Sequence, residues 1–221
     1  TRGESWRQID EELKRRALRM PAGTVLVADA EPGLAEALAD HAESYQRCQW
    51  HTDCDLYHAM WRDGGGRGES RPVQNALVAV MGLELPEEDF AQVPEAEKDE
   101  IEARMEKAEA QIGELVRHLL ARGYRTAADY LERSRRCMFS YVRRWLKFGI
   151  VCPRASSFIE RFFRELGRRV KKLGYNWKPE GIGKIARILL KKCTRPEDWE
   201  EYWRRRLRLD GSVQLVFRIL S

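Results

Sequence analysis

Residues 24–33 read TVLVADAEPG, and the interpretation of this stretch decides the fold. Val25, Leu26, Val27 and Ala28 form a short apolar run bounded by turn formers, the pattern of a buried strand. Ala30-Glu31-Pro32-Gly33 then predicts a helix start, with Pro32 accommodated in the first turn. Asp29 thereby stands at the carboxyl end of a core strand, where open α/β sheets hold their ligands. Asp is also a preferred helix cap, and the stretch by itself favours the cap. The remainder of the chain shifts that balance.

Upstream, residues 4–19 space Trp6, Ile9, Leu13 and Ala17 at helical intervals, predicting an amphipathic helix before the strand. Downstream, Leu34, Ala37, Leu38 and His41 continue the helix that follows Pro32, and SYQRCQWH (residues 44–51) predicts a second strand. Helix, strand, helix, strand is half of an α/β sheet. GGGRG, residues 64–68, reads as a flexible break.

Beyond the break the chain reads as helix. A short helix is predicted at 72–82. From Pro94 to Arg122, the residues Ile101, Met105, Ala108, Ile112, Leu115 and Leu119 recur at alternating steps of four and three, a coiled-coil-like seam. Gly123 ends it, and residues 126–148 predict one partner helix with Leu131, Met138, Tyr141, Val142, Trp145 and Phe148 turned inward. The acidic stretch leading into this hairpin reads as a solvated face. After Cys152-Pro153, a helix from about Ser157 to Leu173 is expected to bury Phe158, Phe162, Leu166, Val170 and Leu173. Pro179 and Pro196 each open a further helix. The final VQLVFRIL fits an edge strand or a tail helix equally.

Composition narrows the function. A chain of 221 residues holds one or two domains and buries a sizeable core. No apolar run approaches the ~18 residues of a membrane span, and no signal peptide is visible. The five cysteines show no framework spacing, and their odd number fits reduced thiols. The chain opens at Thr1 without a Met, which reads as a fragment or processed product. The net charge of +5 is unevenly spread. Residues 1–120 carry 14 Lys and Arg against 25 Asp and Glu, whereas residues 121–221 carry 26 against 10. A basic half of this kind points to a polyanionic partner, against the plainer reading of a solvated, arginine-rich helical surface.

Two constellations bear on chemistry. Cys48, His51, Cys54 and His58 form a C-x2-H-x2-C-x3-H string that invites a zinc reading. On one helix, however, Cys48 and His58 would lie about 15 Å apart along the axis, too far for one ion. If the strand ends near Gln49, Cys48 and His51 instead occupy a strand-to-helix corner beside the end of the Asp29 strand. The second constellation is SSFIERFFRELGRRVKK, residues 156–172. Glu160 falls in a first helical turn beside Arg161, Arg164, Arg168 and Lys172, spaced to suit phosphate contacts. Ser157-x-x-Glu160 also matches a capping box, and Arg164 is placed for an ion pair with Glu160.

Taken in order, these pieces resemble the DDE transposases of the Mutator-type bacterial insertion sequences and their relatives. In that family the second catalytic Asp ends a strand and is followed by a helix, here VLVADAEPGLAEAL. A C-x-x-H motif follows, here Cys48-Gln49-Trp50-His51. A mostly helical insertion intervenes before a catalytic Glu in an S/T-x-x-I-E context, here Ser156-Ser157-Phe158-Ile159-Glu160-Arg161. The segment YNWKPEGIGKIARILL is also similar to one that follows the catalytic helix in some members. The likeness covers roughly residues 5–60 and 150–193. Ala30 stands where the family usually has Gly, and the family's first Asp lies upstream of anything in this chain.

The resemblance implies an α/β fold, mostly helical by residue count, with a partial RNase H-like core and an all-helical insertion. Residues 1–63 would carry the core part with the second Asp, 64–150 the insertion, 151–193 the core helices with the Glu, and 194–221 a basic tail. It implies metal-dependent cleavage and strand transfer at transposon ends. Asp29 and Glu160 would be catalytic ligands of two Mg²⁺ (or Mn²⁺) ions, with Cys48 and His51 adjacent to the site. Arg161, Arg164, Arg168, Arg169, Lys171 and Lys172 would contact DNA. The partners expected are transposon-end and target DNA and further copies of the chain, as a homodimer or higher oligomer. No membrane is involved, and the location is the nucleoid-associated prokaryotic cytoplasm. Without the first Asp the chain alone is expected to be inactive. The alternative is a non-catalytic DNA-binding protein of transposase ancestry, and a further rival is a helical scaffold whose charges only solubilise it.

Overall fold

The apolar run forms a strand. β1 (Val25–Ala28) pairs in parallel with β2 (Ser44–Arg47), in the register Val25–Ser44, Leu26–Tyr45, Val27–Gln46 and Ala28–Arg47. The computed structural model describes residues 5–16, 20–21, 23–29, 31–171 and 177–207. Among these the chain is mostly helical with a small parallel sheet, an α-rich α/β architecture. It divides into two units, residues 1–156 and 157–221. No helix among the described residues is long and apolar enough to cross a membrane.

In the first unit, α1 (Trp6–Arg15) begins at a capping box between Ser5 and Gln8. Lys14 bridges Asp10 and Asp40 at 3.0 and 2.8 Å, and His41 Nε2 lies 2.9 Å from Asp10. These contacts fasten α1 to the β1–β2 crossover, which consists of α2 (Leu34–Ala37) and a 3₁₀ turn at Ala39–His41. Pro32 is not in the first turn of α2, as its position suggested. The cap is Gly33 at φ +80°, a left-handed conformation that glycine adopts without steric cost, so the helix starts after it. The second strand likewise stops at Arg47 rather than running to His51, because Cys48 is already the cap of α3 (Gln49–Arg62).

GGGRG is a tight turn and not a flexible break. Gly64 has φ +87°, and a Cβ on Gly65 would meet the Tyr124 ring at 2.9 Å and the Met60 carbonyl at 3.0 Å. Arg67 and Gly68 already belong to α4 (Arg67–Met81), which starts ahead of the predicted residue 72 with Gly66 as its cap. α5 (Glu95–Ala121) follows the seam closely, burying Ile101, Met105, Ala108, Ile112 and Leu119. Val116 replaces Leu115 as the next buried residue, and Leu115 is only partly buried. A straight helix of 3.6 residues per turn drifts away from a strict seven-residue repeat.

The predicted partner helix at 126–148 is two helices, α6 (Arg125–Met138) and α7 (Ser140–Phe148), parted at Phe139. The cause is Gln46 of β2, fully buried at the break. Its Nε2 donates to the Met138 carbonyl at 2.9 Å, and its Oε1 accepts the Tyr141 N–H at 2.8 Å. The backbone groups released from the helical ladder are thereby satisfied by a side chain from the sheet. Leu131, Met138, Tyr141, Val142 and Trp145 are buried as expected, whereas Phe148, the last residue of α7, is exposed. The continuous core runs from Leu56 and Met60 of α3 through α4 and α5 to Trp145 of α7, so α3 and residues 64–150 share one core.

The second unit comprises α8 (Ser157–Lys171), α9 (Pro179–Thr194) and α10 (Pro196–Leu207). Both prolines occupy the first helical position, where a missing N–H costs nothing. Phe162 and Leu189 are buried, and the Trp177 indole N–H donates to the Arg169 carbonyl at 3.2 Å. Phe158, expected inside, is exposed in the first turn of α8, and the buried stripe begins only at Phe162. Lys172, Leu173 and the final VQLVFRIL lie outside the described residues.

Candidate functional site

Parallel pairing sets the carboxyl ends of β1 and β2 side by side, and the Cys48 N–H donates to the Ala28 carbonyl at 2.8 Å. Asp29 therefore adjoins the C-x-x-H corner, as the alternation of elements implied. Its Oδ1 accepts the Glu31 N–H at 3.3 Å, a local turn contact. It is not the cap of α2, a position held by Gly33. The Tyr45 hydroxyl donates to the Asp29 carbonyl, fixing the strand end. The Asp29 side chain faces a groove of about 780 Å³ whose walls include Arg47, His51, Asp55, Tyr130 and Arg133.

Cys48 is buried and receives two hydrogen bonds from Ser156, the backbone N–H at 3.3 Å and the hydroxyl at 3.4 Å. The same hydroxyl lies 3.4 Å from His51 Nδ1. Alongside, the Gln49 N–H donates to the Arg154 carbonyl at 3.0 Å. Gln49 and Ser156 thus come together on one side of the first unit, with the helices from α4 to α7 intervening in sequence. Burial disfavours a thiolate at Cys48, but the hydrogen bonds from Ser156 and His51 outweigh it and hold the thiol below its ordinary range. Burial pushes Cys54, Cys137 and Cys152 the other way.

The zinc string is spread from the cap of α3 along its length. Among the described residues, no three His, Cys, Asp or Glu side chains are gathered to hold a metal ion. What Asp29 offers is one hard carboxylate at a polar groove, the donor type that Mg²⁺ prefers. A single carboxylate does not by itself make a metal site.

On α8, Glu160 lies in the first turn and is exposed. The helix begins at Ser157 itself, which places Ser157 inside the first turn and not at the cap of the suggested capping box. Arg161, Arg164 and Lys171 are exposed. Arg168 and Arg169 are engaged by Glu165 at 3.0 and 2.7 Å, and this pairing holds the Glu165 carboxyl below the usual carboxylate range. The basic stripe is therefore interrupted at its centre by an acid whose i+3 and i+4 spacing was visible in the sequence.

Sequence reasoning missed the opposite wall of the groove. Arg47, at the end of β2, sits 5.2 Å from the centre of the Tyr130 ring. Tyr130 donates its hydroxyl to Asp55 Oδ2 at 3.1 Å, and burial raises its pKa to about 12. Arg47 Nε is buried without a hydrogen-bond partner, a defect worth about 1–3 kcal/mol. These residues come from β2, α3 and α6, and no local spacing links them. Comparison of the chain with models of known protein families, with curated proteins and with solved structures finds no match.

Proposed function

We propose that this chain is the catalytic region of a DDE-type transposase with an RNase H-like core, acting on DNA phosphodiesters. The observation that carries the reading is the corner itself: Asp29 ends a parallel strand beside Cys48, and Cys48 is bonded to Ser156, only four residues before Glu160. Asp29 and Glu160 are assigned as ligands of two Mg²⁺ or Mn²⁺ ions, with a third carboxylate from upstream. When bound, such ions stabilise the attacking and leaving oxygens of an in-line displacement at phosphorus.

The chain's own residues hold and orient. Arg161, Arg164 and Lys171 present charge to DNA phosphates, while Arg168 and Arg169 do so in exchange with Glu165. Cys48 and His51 act through Ser156, setting where the segment that leads into α8 begins. They position the site and do not touch the reacting atoms. The partner is DNA, at transposon ends and at the target, with the chain assembled as a dimer or larger.

The test is nicking of supercoiled DNA with Mg²⁺, in a chain extended upstream to supply the first Asp. Nicking that disappears with Asp29→Asn and with Glu160→Gln, at undiminished DNA affinity, supports the assignment. Retained nicking in either variant overturns it. DNA binding without any metal-dependent nicking would favour the second reading, a non-catalytic binder. The turn contact that already occupies one oxygen of Asp29 is the observation on that side.

A further inference from the structure

The groove beside Asp29 has a wall that the proposed chemistry leaves unused. β2 contributes Arg47, α3 contributes Asp55, His58 and Arg62, and α6 contributes Tyr130 and Arg133. Its volume of about 780 Å³ lies within the range of pockets that enclose small organic molecules. The aromatic rings of Tyr45, His51, His58 and Tyr130 line it together with three guanidinium groups, which face the carboxylates of Asp29, Glu31, Glu36 and Asp55. Aromatic faces interleaved with arginines are the elements by which proteins hold unpaired nucleotides, through base stacking and phosphate contact.

Arg47 is the most informative of these residues. It lies over the Tyr130 ring and hydrogen-bonds with Tyr45 and Tyr130, while its Nε is buried and unpartnered. A half-buried arginine with one donor left unpartnered is poorly explained by stability alone, since an apolar side chain of similar length would fill the same space. Departures of this kind concentrate at functional sites. Arg62 and Arg133 are exposed and stand at the rim of the groove.

We propose that this groove binds an unpaired nucleotide of a DNA strand, with Arg47, Arg62 and Arg133 on its phosphates and the Tyr130 side of the wall against its base. The helical insertion then contributes substrate contacts through α6 and is more than a spacer. The inference rests on the transposase reading for the identity of the strand, and it assigns single-stranded character to the DNA next to Asp29. Duplex DNA is left to the arginines of α8.

The experiment compares a blunt 20-base-pair duplex with the same duplex carrying a four-nucleotide unpaired tail, each fluorescently labelled, by anisotropy in EDTA. The expected result is at least ten-fold tighter binding of the tailed DNA. Arg47→Met and Arg133→Ala should each remove most of that preference and leave blunt-duplex affinity within two-fold. Thermal denaturation of Arg47→Met should show a midpoint equal to or above that of the parent chain. Because Arg133 is exposed, Arg133→Ala preserves the fold and keeps the test valid if Arg47→Met does not. The proposal is overturned if the parent chain binds both DNAs equally, or if the preference survives both substitutions. Nicking reports separately: a tail preference without metal-dependent nicking retains the nucleotide site while rejecting the transposase reading.

Discussion

Ser156 donates its backbone N–H to the sulfur of Cys48 at 3.3 Å across 108 positions of sequence. The contact closes the chain around α4, α5, α6 and α7 and returns it to the end of the parallel sheet. It explains why a Cys serves at a helix cap. The Cys48 sulfur is shared between the returning segment and His51 of its own helix.

Substituting Cys48 should therefore have a pH signature. The thiol is held below its ordinary value of 9.0 in the folded chain. A depressed acid contributes stability above its unfolded pKa and loses that contribution as pH falls through the folded pKa. The stability difference between the parent chain and Cys48→Ser, measured by urea denaturation, should accordingly widen as pH is raised toward 9.0 and level off above it. Iodoacetamide should still label the exposed Cys193 first, because Cys48 is only 1% exposed. Preferential labelling of Cys48 in the native state would contradict the burial.

Gln46→Leu should be among the most damaging single substitutions in the first unit. It removes the acceptor for the Tyr141 N–H and a donor to the Met138 carbonyl. The Tyr141 N–H loses its partner and the Met138 carbonyl keeps only the 3.4 Å bond from Gln49 Nε2, at a cost of about 1–3 kcal/mol. The urea midpoint measures the loss. A change under ~1 kcal/mol would mean that the break at Phe139 is intrinsic to the helix sequence.

Tyr130 should resist ionisation. Burial first, and Asp55 in addition, raise its pKa to about 12 against an ordinary 10.0, with Arg47 working in the opposite sense. The folded chain thus keeps the proton that the unfolded chain loses, so stability present below pH 10 declines between pH 10 and about 12. Tyr130→Phe should make that decline shallower, and ultraviolet difference titration of the native chain should lose one late-ionising phenol.

On α8, Arg164→Ala should weaken duplex binding several-fold and flatten the dependence of log K on log salt by about one phosphate contact. Arg168→Ala should have a smaller effect, because the parent arginine is already paired with Glu165. Equal losses at both positions would show that DNA displaces the Glu165 pair without cost.

The sequence by itself determined the features that depend on near neighbours. The apolar run ending at Asp29, the start of α1, the proline starts of α9 and α10 and five of the six seam residues of α5 follow from propensity, capping and period. Each is governed by residues within a turn or two of one another. Local rules offered a corner at Cys48 and His51 as one of two alternatives, and the structure selects it by ending β2 at Arg47 and capping α3 with Cys48. Other features were decided only by tertiary structure. Residues 126–148 carry a continuous helical pattern and are nevertheless broken, because Gln46, 92 positions before Met138, satisfies the interrupted backbone. Ser156 reaches Cys48, and Arg47 reaches Tyr130, by the same kind of long return. A hydrogen-bond partner or groove wall assembled from β2, α3 and α6 leaves no periodic trace in any of them. The packing that joins these elements acts across space, whereas periodicity records only which face of each element is buried.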